Sequence, residues 1–299
     1  MDVVGLGLCT LDHLFVVPHP PTFEHGAPVR AYSTQGGGPV ATALVALARL
    51  GAHVGFVGRI GDDDAGQFIR QDFERYGVDI SRLEVEHGRV SAVSLCLVSE
   101  ATGDRSFCVR GTNVTPIRPE ELDREYLLSG RFLHLDGFAE ASMAAARMAK
   151  EAGVHTVYDA GYYGPKAVEL IRLTDTLIAS EYFARSHSSR QPEEIAVEML
   201  DLGPSIVCIT LGERGCVVAT RDETFHQPAF KVDVVDTTGA GDVFHGAFIF
   251  GLLKGYSVRY TAEFASAVAA IKCTKLGGRA GIPTLEQTEA FLAANRVRG

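Results

Sequence analysis

Long hydrophobic runs are missing from this chain: no apolar stretch of its 299 residues reaches the roughly 18 that a membrane-spanning helix needs. Positive charge is also in short supply. Lys and Arg number 28 against 37 Asp and Glu, a net charge of −9, which speaks against a nucleic-acid surface and an anionic membrane partner. No CxxC pair and no HxxxH spacing occurs, so no dedicated protein-ligated transition-metal site is expected. The six cysteines (Cys9, Cys96, Cys108, Cys208, Cys216 and Cys273) fall mostly in apolar strand-like runs. They read as buried free thiols in a reducing cytoplasm. Asp2 follows Met1 and the chain runs straight into a strand, with no secretory signal visible. No GxxxxGKS or GxxxxGKT loop is present, which sets a P-loop site aside. Gly5-Leu6-Gly7 begins a dinucleotide fingerprint, but Thr10 stands where the third glycine belongs, which sets a dehydrogenase aside.

What the chain does have is Asp236-Thr237-Thr238-Gly239-Ala240-Gly241-Asp242. Phe230 to Val235 alternates and is β-branched, so it predicts a strand. After the motif, apolar residues continue at helical spacing to Leu253, and Gly255 ends the helix. The motif is then a strand-to-helix turn with an acid at the helix start. Gly239, Ala240 and Gly241 let a ligand approach their backbone N–H groups closely. The first N–H groups of a helix have no internal partner and carry its positive end, which suits phosphate. Asp242 beside that hole is placed to accept a proton from a hydroxyl attacking a phosphoryl group.

Val235 to Asp242 resembles the second signature of the PfkB (ribokinase-like) carbohydrate kinases. The run Gln227 to Val235, with Lys272-Cys273-Thr274 and Gly277-Gly278-Arg279-Ala280-Gly281-Ile282-Pro283, is similar to the sulfofructose kinase branch in particular. The resemblance implies an α/β, three-layer ribokinase-like fold: a mainly parallel central sheet flanked by helices, plus a small β-sheet lid. It implies one domain over 1–299, with lid segments near 13–35 and 90–113. The repeated strand-then-helix order independently argues for α/β with right-handed crossovers.

Roles follow from the resemblance position by position. Asp242 becomes the catalytic base, and the amides of Gly239, Ala240 and Gly241 hold the transferring phosphoryl group. Asp12 would bond sugar hydroxyls. Gly36-Gly37-Gly38-Pro39 opens a helix and resembles the first family signature, so Gly37 and Gly38 line the sugar site. The family's sugar-binding Asn falls on Thr42, whose hydroxyl bonds a sugar but lacks the two-way chemistry of an amide. Thr210, Gly212 and Gly215 resemble the nucleotide-binding turn, and Thr237 and Gly278 would close on ATP. Where the family has N-x-x-E this chain has Ser180 to Phe183, leaving Glu181 as a carboxylate behind Mg²⁺. The Asp236 turn is implied to hold a monovalent cation such as K⁺. Gly58 to Gly66 reads as a glycine-punctuated acidic loop, its Asp62, Asp63 and Asp64 solvated and capping the next helix. Arg110 reads equally as substrate-facing and as an ordinary edge-strand arginine. The branch's arginine after the strand ending at Asp136 is not found in Asp136-Gly137-Phe138, so either the anion is held otherwise, with Arg110 as the candidate, or the substrate carries no sulfonate. His134 reads as a core residue.

The expectation is an ATP- and Mg²⁺-dependent cytoplasmic kinase of a primary hydroxyl. Its acceptor would be a ketohexose-type sugar, 6-deoxy-6-sulfofructose or fructose, with ATP and the sugar as its partners and a homodimer open. The alternatives are a kinase of ribose or 2-keto-3-deoxygluconate, or a non-catalytic sugar- or nucleotide-binding protein on the same scaffold.

Overall fold

Successive residues of a strand point to opposite faces of its sheet. In the strand Val3–Leu6 both faces are apolar and buried, which places it in the middle of a parallel sheet covered on both sides. The computed structural model describes residues 1–137 and 139–296. In it Val3–Leu6 lies between Val54–Gly61 and Phe132–Asp136, parallel to both.

From one edge to the other the large sheet runs Thr224–Gln227, Cys216–Thr220, Ile206–Thr210, Thr176–Ser180, His155–Ala160, Phe132–Asp136, Val3–Leu6, Val54–Gly61, Asp79–Glu86. Neighbours are parallel except the two pairs made by Cys216–Thr220. The alternation sorts the core into two layers. Val3, Phe56 and Phe132 pack on one face with the helices Pro39–Arg49, Ala240–Leu253 and Val258–Cys273. Val4, Leu133 and Leu135 pack on the other with Glu140–Ala152 and Pro192–Leu200. A second sheet, in the order Ala31–Gly37, Thr10–Val17, Val93–Ser99, Arg105–Arg110, stands apart from the first. The three-layer α/β architecture with a smaller sheet is the expected one.

Three local expectations change. Phe230 to Val235 is not a strand. The edge of the sheet is already taken by Thr224–Gln227, and Pro228 follows it. The run instead makes single bonds, Val235 N and Asp236 N to the oxygen of Cys273. Gly58 to Gly61, expected in a loop, extends the strand from Val54. Asp63 then caps the helix Asp64–Arg75 by accepting from Gly66 N at 3.0 Å. The strand Asp79–Glu86 was not foreseen, because an edge strand this polar carries little apolar alternation.

Candidate active site

Parallel α/β sheets bind ligands beyond the C-terminal ends of their strands, where the strand order switches direction. Here the switch lies between Val3–Leu6 and Phe132–Asp136. Asp136 ends its strand there, and both its carboxylate oxygens accept from Leu8 N at 3.1 Å, one also from Val40 N at 3.2 Å. It ties the first crossover to the start of the helix Pro39–Arg49. Two strands away from Val3–Leu6, Asp159 stands near the same end of His155–Ala160.

The helix Ala240–Leu253 is apolar nearly all round and buried from Val243 onward, which anchors its partly exposed first turn. Gly239 precedes it in the left-handed region at φ 71°, and a Cβ there would lie 2.9 Å from the Cα of Gly278. Only glycine fits. The buried Asp236 carboxylate holds the turn: one oxygen accepts from Thr238 N at 2.8 Å and Thr238 Oγ1 at 2.7 Å, the other from Gly277 N at 2.7 Å. Thr237 Oγ1 accepts from Arg105 Nη1 at 2.8 Å, which brings the smaller sheet over the turn.

Asp242 is half-buried in the first turn of that helix. Burial, then the negative charge of Asp159, push its carboxyl up to about 7, against the pull of Arg105. Burial likewise raises Asp159 to about 7. Asp136 also reaches about 7, through burial and, more weakly, Asp159 and Asp242. These three carboxyls form one electrostatic cluster, and carboxylates crowded together cannot all ionise easily. Behind them, His245 Nδ1 lies 3.6 Å from Asp159 Oδ2, too far for a hydrogen bond. Burial lowers the imidazoles of His245 and His134 to about 3, so both are neutral. His134 is a core residue, its Nδ1 3.2 Å from the oxygen of Val157.

The smaller sheet brings a further carboxylate, Asp12, close enough to raise the Asp242 carboxyl as well. Asp12 lies within the strand Thr10–Val17, half-buried, and accepts from Thr10 Oγ1 at 2.7 Å. Burial raises its carboxyl. Gly37 backs onto it so closely that a Cβ would lie 2.0 Å from Asp12 Oδ2. Gly38, at φ 95°, caps the next helix. Ser94 pairs with Asp12 across the sheet, and its buried hydroxyl has no partner among the described residues. Thr42 is buried behind this group and its hydroxyl accepts from Arg279 Nε at 3.3 Å. Arg110 lies farther out. Its Nη2 donates to Asp63 Oδ2 at 3.1 Å and to the oxygen of Ser91 at 2.9 Å.

The segment from Leu276 to Ala280 touches both halves. Gln35 Oε1 accepts from Arg279 N and Ala280 N, and its amide donates to the oxygen of Leu276. Arg279 is fully enclosed, paired with Asp72 and donating to the oxygen of Gly37 at 3.0 Å. Gly277 and Gly278 meet Asp236 and Gly239 on the other side.

Thr210 ends its strand with its hydroxyl on the oxygen of Ala179 at 3.3 Å. Gly212, at φ 62°, and Gly215, at φ 89°, form the short turn that follows. Glu181 is engaged by Arg185 and by Arg214, the latter at 2.7 Å, so its charge is already matched. Phe138 lies outside the described residues. Reading the sequence assigned no role to Asp136, Asp159, Arg105, Ser94 or Lys272. The signal available for the first two was an acid closing a core strand. For the others it lies in pairing across the chain.

The Asp236 turn does not suit a bound monovalent cation. Its main-chain oxygen already accepts from the buried Lys272 Nζ at 2.9 Å, so an ammonium stands among the donors a cation would use.

Residues 2–285 match the pfkB family carbohydrate kinases. The chain is 31% identical to the ATP-dependent ribose-1-phosphate kinase of Halopiger xanaduensis, over 97% of this chain and 98% of that one. It is 32% identical to the aminoimidazole riboside kinase of Salmonella typhimurium, over 87% and 89%. Among solved structures, a putative ribokinase from Agrobacterium tumefaciens superposes with a TM-score of 0.88 at 26% identity, covering 99% of this chain and 98% of that one. The family match spans nearly the whole chain and the fold agrees with it: this protein belongs to the pfkB family and is an ATP-dependent carbohydrate kinase.

Proposed function

We propose that this kinase transfers the γ-phosphoryl group of ATP to a primary hydroxyl of a small sugar, with Asp242 as the base. The observation that carries this reading is the placement of Asp242 in the first turn of the buried helix Ala240–Leu253, which opens on the positive-φ Gly239; burial pushes its carboxyl up to about 7. Near neutral pH such a carboxylate takes a proton and can release it again. The hydroxyl oxygen bonds to the γ-phosphorus as its proton passes to Asp242. The bond to the β-phosphate oxygen breaks and ADP leaves. Amides of the Gly239–Gly241 turn face the charge on the transferring group, a contribution of roughly 3 kcal/mol per well-placed donor in other enzymes. Mg²⁺ bound with ATP would supply charge neutralisation at the phosphates, and the hard carboxylate oxygens of Asp159 would suit it. Arg105, bonded to Thr237, adds positive charge on that side.

Asp12, Gly37, Gly38 and the unpartnered Ser94 hydroxyl form the sugar side in this reading, with Thr42 supporting them from behind. Thr210, Gly212, Gly215, Thr237 and Gly278 form the nucleotide side, and the smaller sheet acts as the lid. The acceptor is a ketohexose-type sugar, fructose or 6-deoxy-6-sulfofructose. For the sulfonate, Arg110 is the candidate, its side chain 54% exposed beside Asp63. A ribose-type acceptor is the second reading, favoured by the activities named for the two relatives above. All six cysteines are free thiols, all but Cys108 buried, which fits a reducing cytoplasm.

The test is ADP release with Mg-ATP over a panel: 6-deoxy-6-sulfofructose, fructose, ribose, ribose 1-phosphate, aminoimidazole riboside and 2-keto-3-deoxygluconate. Asp242→Asn is expected to lower turnover by roughly 10²–10⁴-fold while ATP affinity stays within a few-fold. Turnover like the parent's in that variant would remove Asp242 from the mechanism.

A further inference from the structure

Lys272 is a lysine with no exposed surface, and lysines are seldom fully buried unless paired. It is the next-to-last residue of the helix Val258–Cys273. Its Nζ donates to the main-chain oxygen of Asp236 at 2.9 Å. The next residue, Cys273, accepts on its own oxygen from Val235 N and Asp236 N. One helix end therefore grips both sides of the Asp236 backbone. The Asp236 carboxylate is spent on Thr238 and Gly277, as described above. Each hydrogen-bonding group of Asp236 has a partner from the chain, and the one at its carbonyl is an ammonium.

We propose that the Lys272 ammonium is the chain's own cation at this turn, holding the Asp236 carbonyl and the Gly239–Gly241 backbone in place so that the enzyme needs no monovalent ion. This inference rests on the role given above to the Asp236–Asp242 turn. The chemistry is a substitution of like for like. A monovalent cation at a turn of carbonyl oxygens supplies one positive charge and contacts to those oxygens. A lysine ammonium supplies the same charge with directed donors, and it is tethered, so no ion has to be captured from solution. A second cation beside it would face like-charge repulsion in a site of low dielectric. Burial pushes the Lys272 ammonium below the ordinary lysine range, while the Asp236 carboxylate favours its charged form. Arg105 opposes that charge and Asp242 supports it.

The test compares KCl, NaCl and tetramethylammonium chloride at equal ionic strength, read by thermal unfolding and by ADP release. Unfolding needs no substrate, so a failure of this inference is distinguishable from a wrong sugar or a wrong reaction. The parent enzyme is expected to melt at the same temperature in all three salts and to turn over equally. Lys272→Ala removes the charge and leaves room. It should melt several degrees lower in tetramethylammonium and recover with KCl, with turnover recovering in parallel. Lys272→Met fills the same space without charge and should melt lower in every salt. A parent enzyme whose turnover rises several-fold with K⁺ would overturn the proposal. So would a Lys272→Ala variant that no small cation restores, since that would make the lysine a packing residue alone. If the alanine variant does not fold, the parent's salt series and Lys272→Met still decide.

Discussion

Burial holds the carboxyls of Asp242, Asp159 and Asp136 near 7, and neighbouring negative charge adds to it at Asp242 and Asp136. With Asp242 in the role proposed for it, the rate should fall on the acid side with an apparent pKa near 7, as its carboxylate takes up a proton. Asp159→Asn removes the charge that most raises Asp242, so this acid limb should move to lower pH, read from kcat/KM between pH 5 and 9. Stability runs the other way. A raised aspartate keeps its proton in the folded chain after the unfolded chain has released it at about 3.8. The favourable contribution is complete below that value and is lost as pH rises through about 7. Asp242→Asn should therefore raise the melting temperature at pH 8 and leave it nearly unchanged near pH 4. Of this cluster only Asp242 was assigned a role from the sequence. Asp136 and Asp159 close core strands 23 residues apart, 136 and 159, and nothing local shows that the sheet brings them together with residue 242.

At the scale of elements, the turn into the helix Ala240–Leu253 was legible because its residues are constrained one by one. Gly239 must reach a positive φ and touch Gly278, and the helix beyond it is apolar enough to be buried. Gly239→Ala forces a side chain into the left-handed region at a cost of roughly 1–2 kcal/mol before the contact with Gly278 is counted. It should lower kcat more than it raises the sugar KM, measured by steady-state kinetics. The neighbouring Phe230–Val235 run misled for a related reason. Alternation reports an extended chain, and only the sheet decides whether an edge remains to receive it. The link between Arg279 and Asp72 was invisible to any local reading, since it joins residues 207 apart. Asp72→Ala would leave an enclosed guanidinium unpaired and should cost about 3–5 kcal/mol, read from urea unfolding.

For the whole molecule, strand-then-helix order was enough to fix a parallel sheet covered on both faces, because right-handed crossovers leave few other arrangements. The smaller sheet was harder. Its strands come from two separated stretches of chain, and their register depends on pairings such as Asp12 with Ser94. That register puts Phe107 opposite Cys96 and Val109 opposite Ser94, on the face of the sheet that carries Asp12. Both are exposed, at 46% and 65%, on the outer strand Arg105–Arg110. A second copy covering them would make the homodimer raised by the sequence. Light scattering should then give twice the chain mass, and Val109→Lys should return it to a monomer. A monomeric parent protein would remove the idea.

The segment Leu276–Ala280 is bound to Gln35 and Gly37 on one side and to Asp236 and Gly239 on the other. With the sugar and the nucleotide on the two flanks as proposed, coupling through this segment should make each bind more tightly when the other is present, by one and the same factor; equal affinities with and without the partner ligand would remove the idea. An enzyme wired this way would seldom spend ATP on water when no acceptor is at hand.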